Sequence, residues 1–216
     1  MTARLLLIRH GETVDDTTGV ISGQSECALS DRGLAQARAL ASRLADEPIE
    51  QIHSSPLRRT TGTAALISAA HGVPMRLNED LVELGMGAWE GYTPAEVSAT
   101  MPDEYDAWLA DPDQVPPGGE LPVAAAVRVA RALRGLPVDG TVLWCTHVDF
   151  IGLLLCHVLG APWRNRSRLQ ADNGSLTELL IDGPHATVRR INDVAHLSEP
   201  LPEIRHSSMP FSRRTG

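Results

Sequence analysis

Arg9, His10 and Gly11 occupy consecutive positions directly after the apolar run Leu5-Leu6-Leu7-Ile8. Those residue types in that place can do phosphoryl chemistry. The guanidinium of an arginine is a planar fork of donors matched to phosphate oxygens. Neutral histidine can serve as a nucleophile near pH 7, and glycine lets backbone amides approach an anion. An apolar run of this length closed by a turn signal reads as a buried β-strand. Open α/β sheets hold their ligands at the carboxyl ends of such strands. An Arg-His-Gly match alone arises by chance in roughly a few per cent of chains this long, so its weight depends on partners downstream.

Three further segments supply them. In Ser54-Ser55-Pro56-Leu57-Arg58-Arg59-Thr60-Thr61-Gly62-Thr63 a strand ends, the chain turns and a helix begins. Arg59 then lies in a first helical turn, whose free amides and positive dipole favour an anion. The plainer alternative is a solvated arginine pair, which the threonines, poor surface helix formers, disfavour. Leu81–Gly91 carries Glu83 and Glu90, candidates for the carboxylic acid that would protonate a leaving oxygen; a glutamate in a glycine-rich loop is more often only solvated. In Val142-Leu143-Trp144-Cys145-Thr146-His147 a second histidine ends an apolar strand, as His10 does. It could equally be a satisfied core residue.

The elements that must position these groups follow from the pattern. Strands are expected at about 3–9, 49–53, 73–77 and 141–145, with a closing pair at 176–181 and 186–191 joined by Asp182-Gly183-Pro184. Ser30 caps a helix running to about Ala45, with Leu34, Ala37, Leu40, Ala41 and Leu44 on one face. Further helices are expected at 57–70, 121–135 and 150–159, with short ones near 94–100 and 103–110. Residues 11–29 show no periodicity and read as a loop. The alternation implies a three-layer α/β/α sandwich with a mainly parallel sheet. One domain spans 1–197, with a lid segment at about 84–120, and a polar tail follows from Ser198.

Composition narrows the function. With 216 residues, 43% hydrophobic and 21% charged, the chain is an ordinary globular one. The net charge of −8 argues against nucleic acid or an anionic membrane as partner. All 19 basic residues are arginines, which excludes a lysine Schiff base or a phosphate-loop lysine. Cys27, Cys145 and Cys156 fit neither a disulfide framework nor a zinc motif. No stretch suggests a signal peptide or a membrane span, so a cytoplasmic protein is expected. Oligomeric state stays open between monomer and homodimer.

Together these segments resemble the histidine phosphatase (phosphoglycerate mutase-like) superfamily over roughly residues 4–192. Arg9-His10-Gly11-Glu12-Thr13 is similar to its signature. Gly23, Leu29, Ser30, Gly33, Gln36 and Ala37 match its loop and first helix, and Ser55-Pro56-Leu57-Arg58-Arg59-Thr60 its arginine motif. Glu83 with Gly87, Trp89, Glu90 and Gly91, then His147, then Asn173-Gly174-Ser175 complete the set. The resemblance implies His10 as phosphorylated nucleophile and Glu83 as general acid. It implies His147 beside them, with phosphate held by Arg9, Arg59, His147 and Gly11. No metal or other cofactor is implied, because arginines and His147 supply the positive charge. Thr13, Asp16, Gly23, Gln24, Trp89, Tyr92, Val148 and Asp149 are the candidates for reading the substrate.

The chain also departs from the family pattern. Val148 and Asp149 follow the second histidine where glycine is usual, and Gly152 replaces a common arginine. Asp16 stands where asparagine is frequent, Glu26 where aspartate is, and Leu121 replaces a serine. Carboxylates at 16 and 149, if they face the pocket, would repel a second phosphate or an acidic substrate. Asp149 could instead pair with hydroxyls or an amine. The resemblance implies hydrolysis of a small-molecule phosphomonoester. Mutase-type phosphoryl transfer is the alternative, set back by the short segment after Glu83 and the absence of lysine. A silent phosphate-binding module is a third reading; such a module would normally have lost one of the residues that are all present here.

Overall fold

The computed structural model describes residues 1–111 and 114–197; the tail expected from Ser198 lies outside them. The chain runs β1 (Ala3–Arg9), α1 (Val14–Thr18), α2 (Asp31–Leu44), β2 (Ile49–Ser54), α3 (Arg58–His71) and β3 (Met75–Leu77). Then come α4 (Pro94–Thr100), α5 (Pro102–Ala110), α6 (Pro122–Arg134), β4 (Gly140–Thr146), α7 (Val148–Leu159), a 3₁₀ segment Trp163–Arg168, β5 (Leu176–Asp182) and β6 (His185–Asp193). Among the described residues no helix is long and apolar enough to cross a membrane.

The strands form one sheet in the order β3-β2-β4-β1-β5-β6. β1, β2, β3 and β4 run parallel, β5 runs antiparallel beside β1, and β6 turns back antiparallel to β5. Alternation along β1 explains the three layers, because successive side chains leave opposite faces of a strand. Leu5 and Leu7 join Val142, Trp144 and Leu179 under α6 and α7, through Ala125, Val129, Phe150, Ile151 and Leu154. Leu6 and Ile8 join Ile52, Leu143 and Cys145 under α2 and α3, through Leu40, Leu44, Ala64 and Ile67. A sandwich with helices on both faces results, as the pattern of alternating elements requires.

Register places the chemistry. Arg9 of β1 pairs with Thr146 of β4, and Ser54 of β2 with Cys145. His10, His147 and Ser55 are therefore the first residues past three neighbouring parallel strands, at one end of the sheet. The His10 amide closes this end by donating to the Thr146 carbonyl at 3.1 Å.

One local expectation fails. Residues 14–18 are not loop but the helix α1. The Thr13 hydroxyl accepts from the Asp16 amide, while the Asp16 carboxylate accepts from the Thr13 amide. A reciprocal cap can hold a single turn that no apolar periodicity announces. Ser30 caps α2 as expected, accepting from the Gly33 amide. Pro56 lies one residue before Leu57, the cap of α3.

Candidate active site

His10 and His147 lie edge to face with ring centroids 5.2 Å apart, and both are buried. His10 Nδ1 is 2.8 Å from the Gly11 carbonyl oxygen. A carbonyl only accepts, so Nδ1 carries the proton and Nε2 keeps a lone pair. Burial, then the neighbouring charges of Arg9 and Arg59, push this imidazole down to about 3, and it is neutral at physiological pH. His147 is held at both nitrogens. Arg59 Nε donates to its Nδ1 at 3.2 Å, which leaves Nε2 to donate to the Ser55 hydroxyl at 2.9 Å. Burial and then Arg59 lower His147 well below its ordinary value.

Arg59 is 2% exposed. Its Nη1 donates to the Ser25 carbonyl at 2.9 Å and its Nη2 to the Gly23 carbonyl at 2.6 Å. The residue 11–29 loop thus wraps the guanidinium that α3 brings in. Gly23 itself sits at φ +49 with the Glu90 carboxylate where a side chain would go, which fits glycine alone without strain. Arg9 Nη1 donates to the Ala171 carbonyl at 2.7 Å and Nη2 reaches Asp16 at 3.5 Å. Among the described residues its Nε is buried without a partner, a donor that an anion would satisfy.

Two expectations about anion-binding amides are corrected. The Gly11 amide does not face an anion; it donates to the Thr63 hydroxyl at 3.0 Å. Gly11 is needed for packing instead, since a Cβ there would lie 2.9 Å from the Gly33 carbonyl carbon. The first amide of α3, at Arg58, is not free either: Glu26 accepts it at 2.8 Å. The chain's own carboxylate already fills that helix terminus.

Glu83 is buried at the N-terminus of α7. Its Oε1 accepts from the amides of Leu84 at 2.9 Å and Phe150 at 3.3 Å, and its Oε2 from the amide of Asp149 at 3.3 Å. Such amides favour the anion, yet burial first and the Asp149 charge second prevail and raise the carboxyl to about 7. The surrounding loop is clamped from α6. Arg128 Nη1 donates to the Val82 carbonyl at 2.8 Å and Nη2 to the Glu83 carbonyl at 3.2 Å, while Glu120 pairs with the same guanidinium at 2.7 Å. Gln24 reaches the Glu83 carbonyl through Nε2 at 2.8 Å.

Several specificity candidates have structural duties. Thr13 is buried and caps α1. Asp16 closes that cap and pairs with Arg9, so it orders the arginine rather than standing bare in the pocket. Trp89 is fully buried, with Trp108 at 5.4 Å and Tyr105 at 5.8 Å between ring centroids. These aromatics pack on one another in the core of that part of the chain. Tyr92 is 45% exposed. Val148 packs against the apolar layer under α7. Asp149 is not a lone carboxylate, because Arg166 Nε donates to its Oδ1 at 3.0 Å.

Ser55, Thr63, Arg128 and Arg166 were not singled out from sequence. Arg128 left a trace: it stands on the face of α6 that carries Ala125, Val129 and Ala132, where a charge must find partners. Ser55 and Thr63 were inside a recognised segment, but hydroxyls carry no periodic signal. Among the described residues no group of three His, Cys, Asp or Glu side chains could hold a metal ion.

A neutral histidine with a free Nε2, two arginines and an acid titrating near neutrality meet at the carboxyl ends of parallel strands. Fold and site define an α/β class with a cationic pocket at the carboxyl edge of its sheet. Residues 5–194 match the histidine phosphatase superfamily (branch 1), and the chain belongs to that family. A bifunctional protein of Mycobacterium tuberculosis is 36% identical over 200 residues, covering 90% of this chain but 55% of that protein. The chain therefore spans about half the length of that relative. Phosphoserine phosphatase 1 of Hydrogenobacter thermophilus is 29% identical over 200 residues, covering 91% of this chain and 95% of that one. The crystal structure of the α-ribazole phosphatase from Shigella flexneri superposes with a TM-score of 0.83 at 29% identity, covering 88% of this chain and 96% of that chain.

Proposed function

We propose that this chain hydrolyses a small-molecule phosphomonoester through a covalent phosphohistidine at His10. The observation that carries the reading is the His10 ring: the Gly11 carbonyl fixes the proton on Nδ1 and leaves Nε2 free. The relatives named as phosphatases support the same conclusion. In the first step Nε2 attacks phosphorus while the bond to the leaving oxygen breaks, and the Glu83 carboxyl delivers its proton to that oxygen. Arg9 and Arg59 offset charge on the equatorial oxygens. The buried, unpartnered Nε of Arg9 is the first donor available to them. In the second step the Glu83 carboxylate takes a proton from water, the hydroxide attacks phosphorus, and the P–N bond breaks to release inorganic phosphate.

His147 enters in a changed role. With Nδ1 accepting from Arg59 and Nε2 engaged by Ser55, it orients the guanidinium, and it reaches phosphate only by exchanging the Ser55 contact. Charge compensation from arginines makes the reaction metal-independent. Three unpaired cysteines suit a reducing, cytoplasmic setting. The test is phosphate release from a panel of sugar, nucleoside, amine-bearing and phosphoglycerate esters without added metal, comparing the chain with His10→Ala. Release that needs His10 is expected; equal release by the variant refutes the covalent route.

A further inference from the structure

Asp149 is attached to Glu83 from one side and to Arg166 from the other. Its backbone amide donates to Glu83 Oε2 at 3.3 Å, and its carboxylate Oδ1 accepts from Arg166 Nε at 3.0 Å. Arg166 is buried and its guanidinium lies 5.9 Å over the Trp163 ring. Among the described residues its Nη1 is buried without a partner, and Asp149 pairs with its Nε. The approach of the 3₁₀ segment to α7 depends on Gly152, where a Cβ would lie 2.7 Å from the Arg166 carbonyl oxygen. The chain thus spends a glycine in a buried helix to seat a buried cation behind Asp149. Nothing in the phosphate chemistry described above uses that cation.

We propose that Asp149 and Arg166 form a positioning pair that sets how tightly Glu83 holds its proton, and through it the pH range of the reaction. The inference rests on the reading of Glu83 as the proton donor. The Asp149 backbone amide bonds Glu83 at 3.3 Å, so its side chain carries a negative charge close to that carboxyl and disfavours a second one. Arg166 opposes that charge and fixes the Asp149 side chain, so the two substitutions act in opposite directions. The other charged and titratable groups packed round Glu83 are Arg59 from α3, Arg128 from α6 with Glu120 from the loop before it, and the strand-end histidines His10 and His147. None of these changes in the two variants.

The experiment follows the Glu83 side-chain carboxyl by carbon-13 NMR against pH in the whole chain, its resonance assigned by loss in Glu83→Gln. This readout needs no substrate, so it separates failure of the proposal from failure of the hydrolase reading. Asp149→Asn keeps the shape and the backbone donor, and should lower the midpoint by about one pH unit. Arg166→Gln should raise it. The double variant Asp149→Asn/Arg166→Gln leaves no charge uncompensated, retains the fold, and should again lie below wild type. Where the panel yields an active ester, the alkaline limb of kcat/KM moves with the midpoint. Coincident midpoints in all variants, or a fall in both single variants, overturn the proposal. So does an Asp149→Asn variant that raises KM for amine-bearing esters while leaving the Glu83 midpoint unmoved, since Asp149 would then be reading substrate.

Discussion

Glu83→Gln should cost activity and return stability, and the returned stability should depend on pH. The carboxyl's ordinary value is 4.5 and the folded site raises it to about 7. The folded state therefore binds the proton more tightly than the unfolded chain does. Below 4.5 both states are protonated and the site costs nothing through this group. As pH rises from 4.5 to 7 the unfolded chain gives up its proton first, and folding is progressively penalised. Above 7 the penalty is complete: the gap, at about 1.4 kcal/mol per pH unit, is about 3 kcal/mol. Glutamine does not titrate. Relative to wild type, the variant should gain about 3 kcal/mol between pH 4.5 and pH 8, on top of any constant difference from exchanging an oxygen for an amide. Denaturant unfolding at four pH values in this range measures it. The same variant should lose about 10²- to 10⁴-fold in turnover of alkyl phosphates and far less for a nitrophenyl leaving group. A stability difference flat with pH would refute the raised carboxyl. Equal slowing of both ester types would refute its role as acid.

The pH profile of kcat/KM for an alkyl phosphate should fall above about 7 as Glu83 loses its proton, and the His10 imidazole, followed by NMR without substrate, should titrate near 3; a midpoint near 6.5 would mean that His10 is not buried as described. Gly11→Ala should destabilise the fold by about 1–3 kcal/mol, read as a lowered Tm, because the added Cβ meets the Gly33 backbone, which has no rotamer to yield. Ser55→Ala leaves the buried Nε2 of His147 without its partner; a loss of about 1–3 kcal/mol in thermal stability or in transition-state stabilisation is expected. Unchanged Tm and kcat/KM in that variant would show that His147 Nε2 already has another acceptor.

The strand ends were legible because a four-residue apolar run and its closing turn are local signals. Leu5–Ile8 and Val142–Cys145 read as buried strands from sequence, and with them came the places of His10 and His147. The three layers and the mainly parallel sheet followed from alternation of elements, and Ser30 marked a helix start by its own capping preference. Family resemblance then supplied roles for Arg59 and Glu83. What stayed hidden depends on pairs far apart in the chain. That the Gly11 amide goes to Thr63, that Trp89 faces Trp108, and that Arg166 stands behind Asp149 are decided by how helices pack across the sheet. Residue types and spacing determined which groups could do the chemistry. Only burial and contact in three dimensions decided their charge states, because desolvation and a neighbouring ion, not the residue's identity, move a proton from His10 and keep one on Glu83.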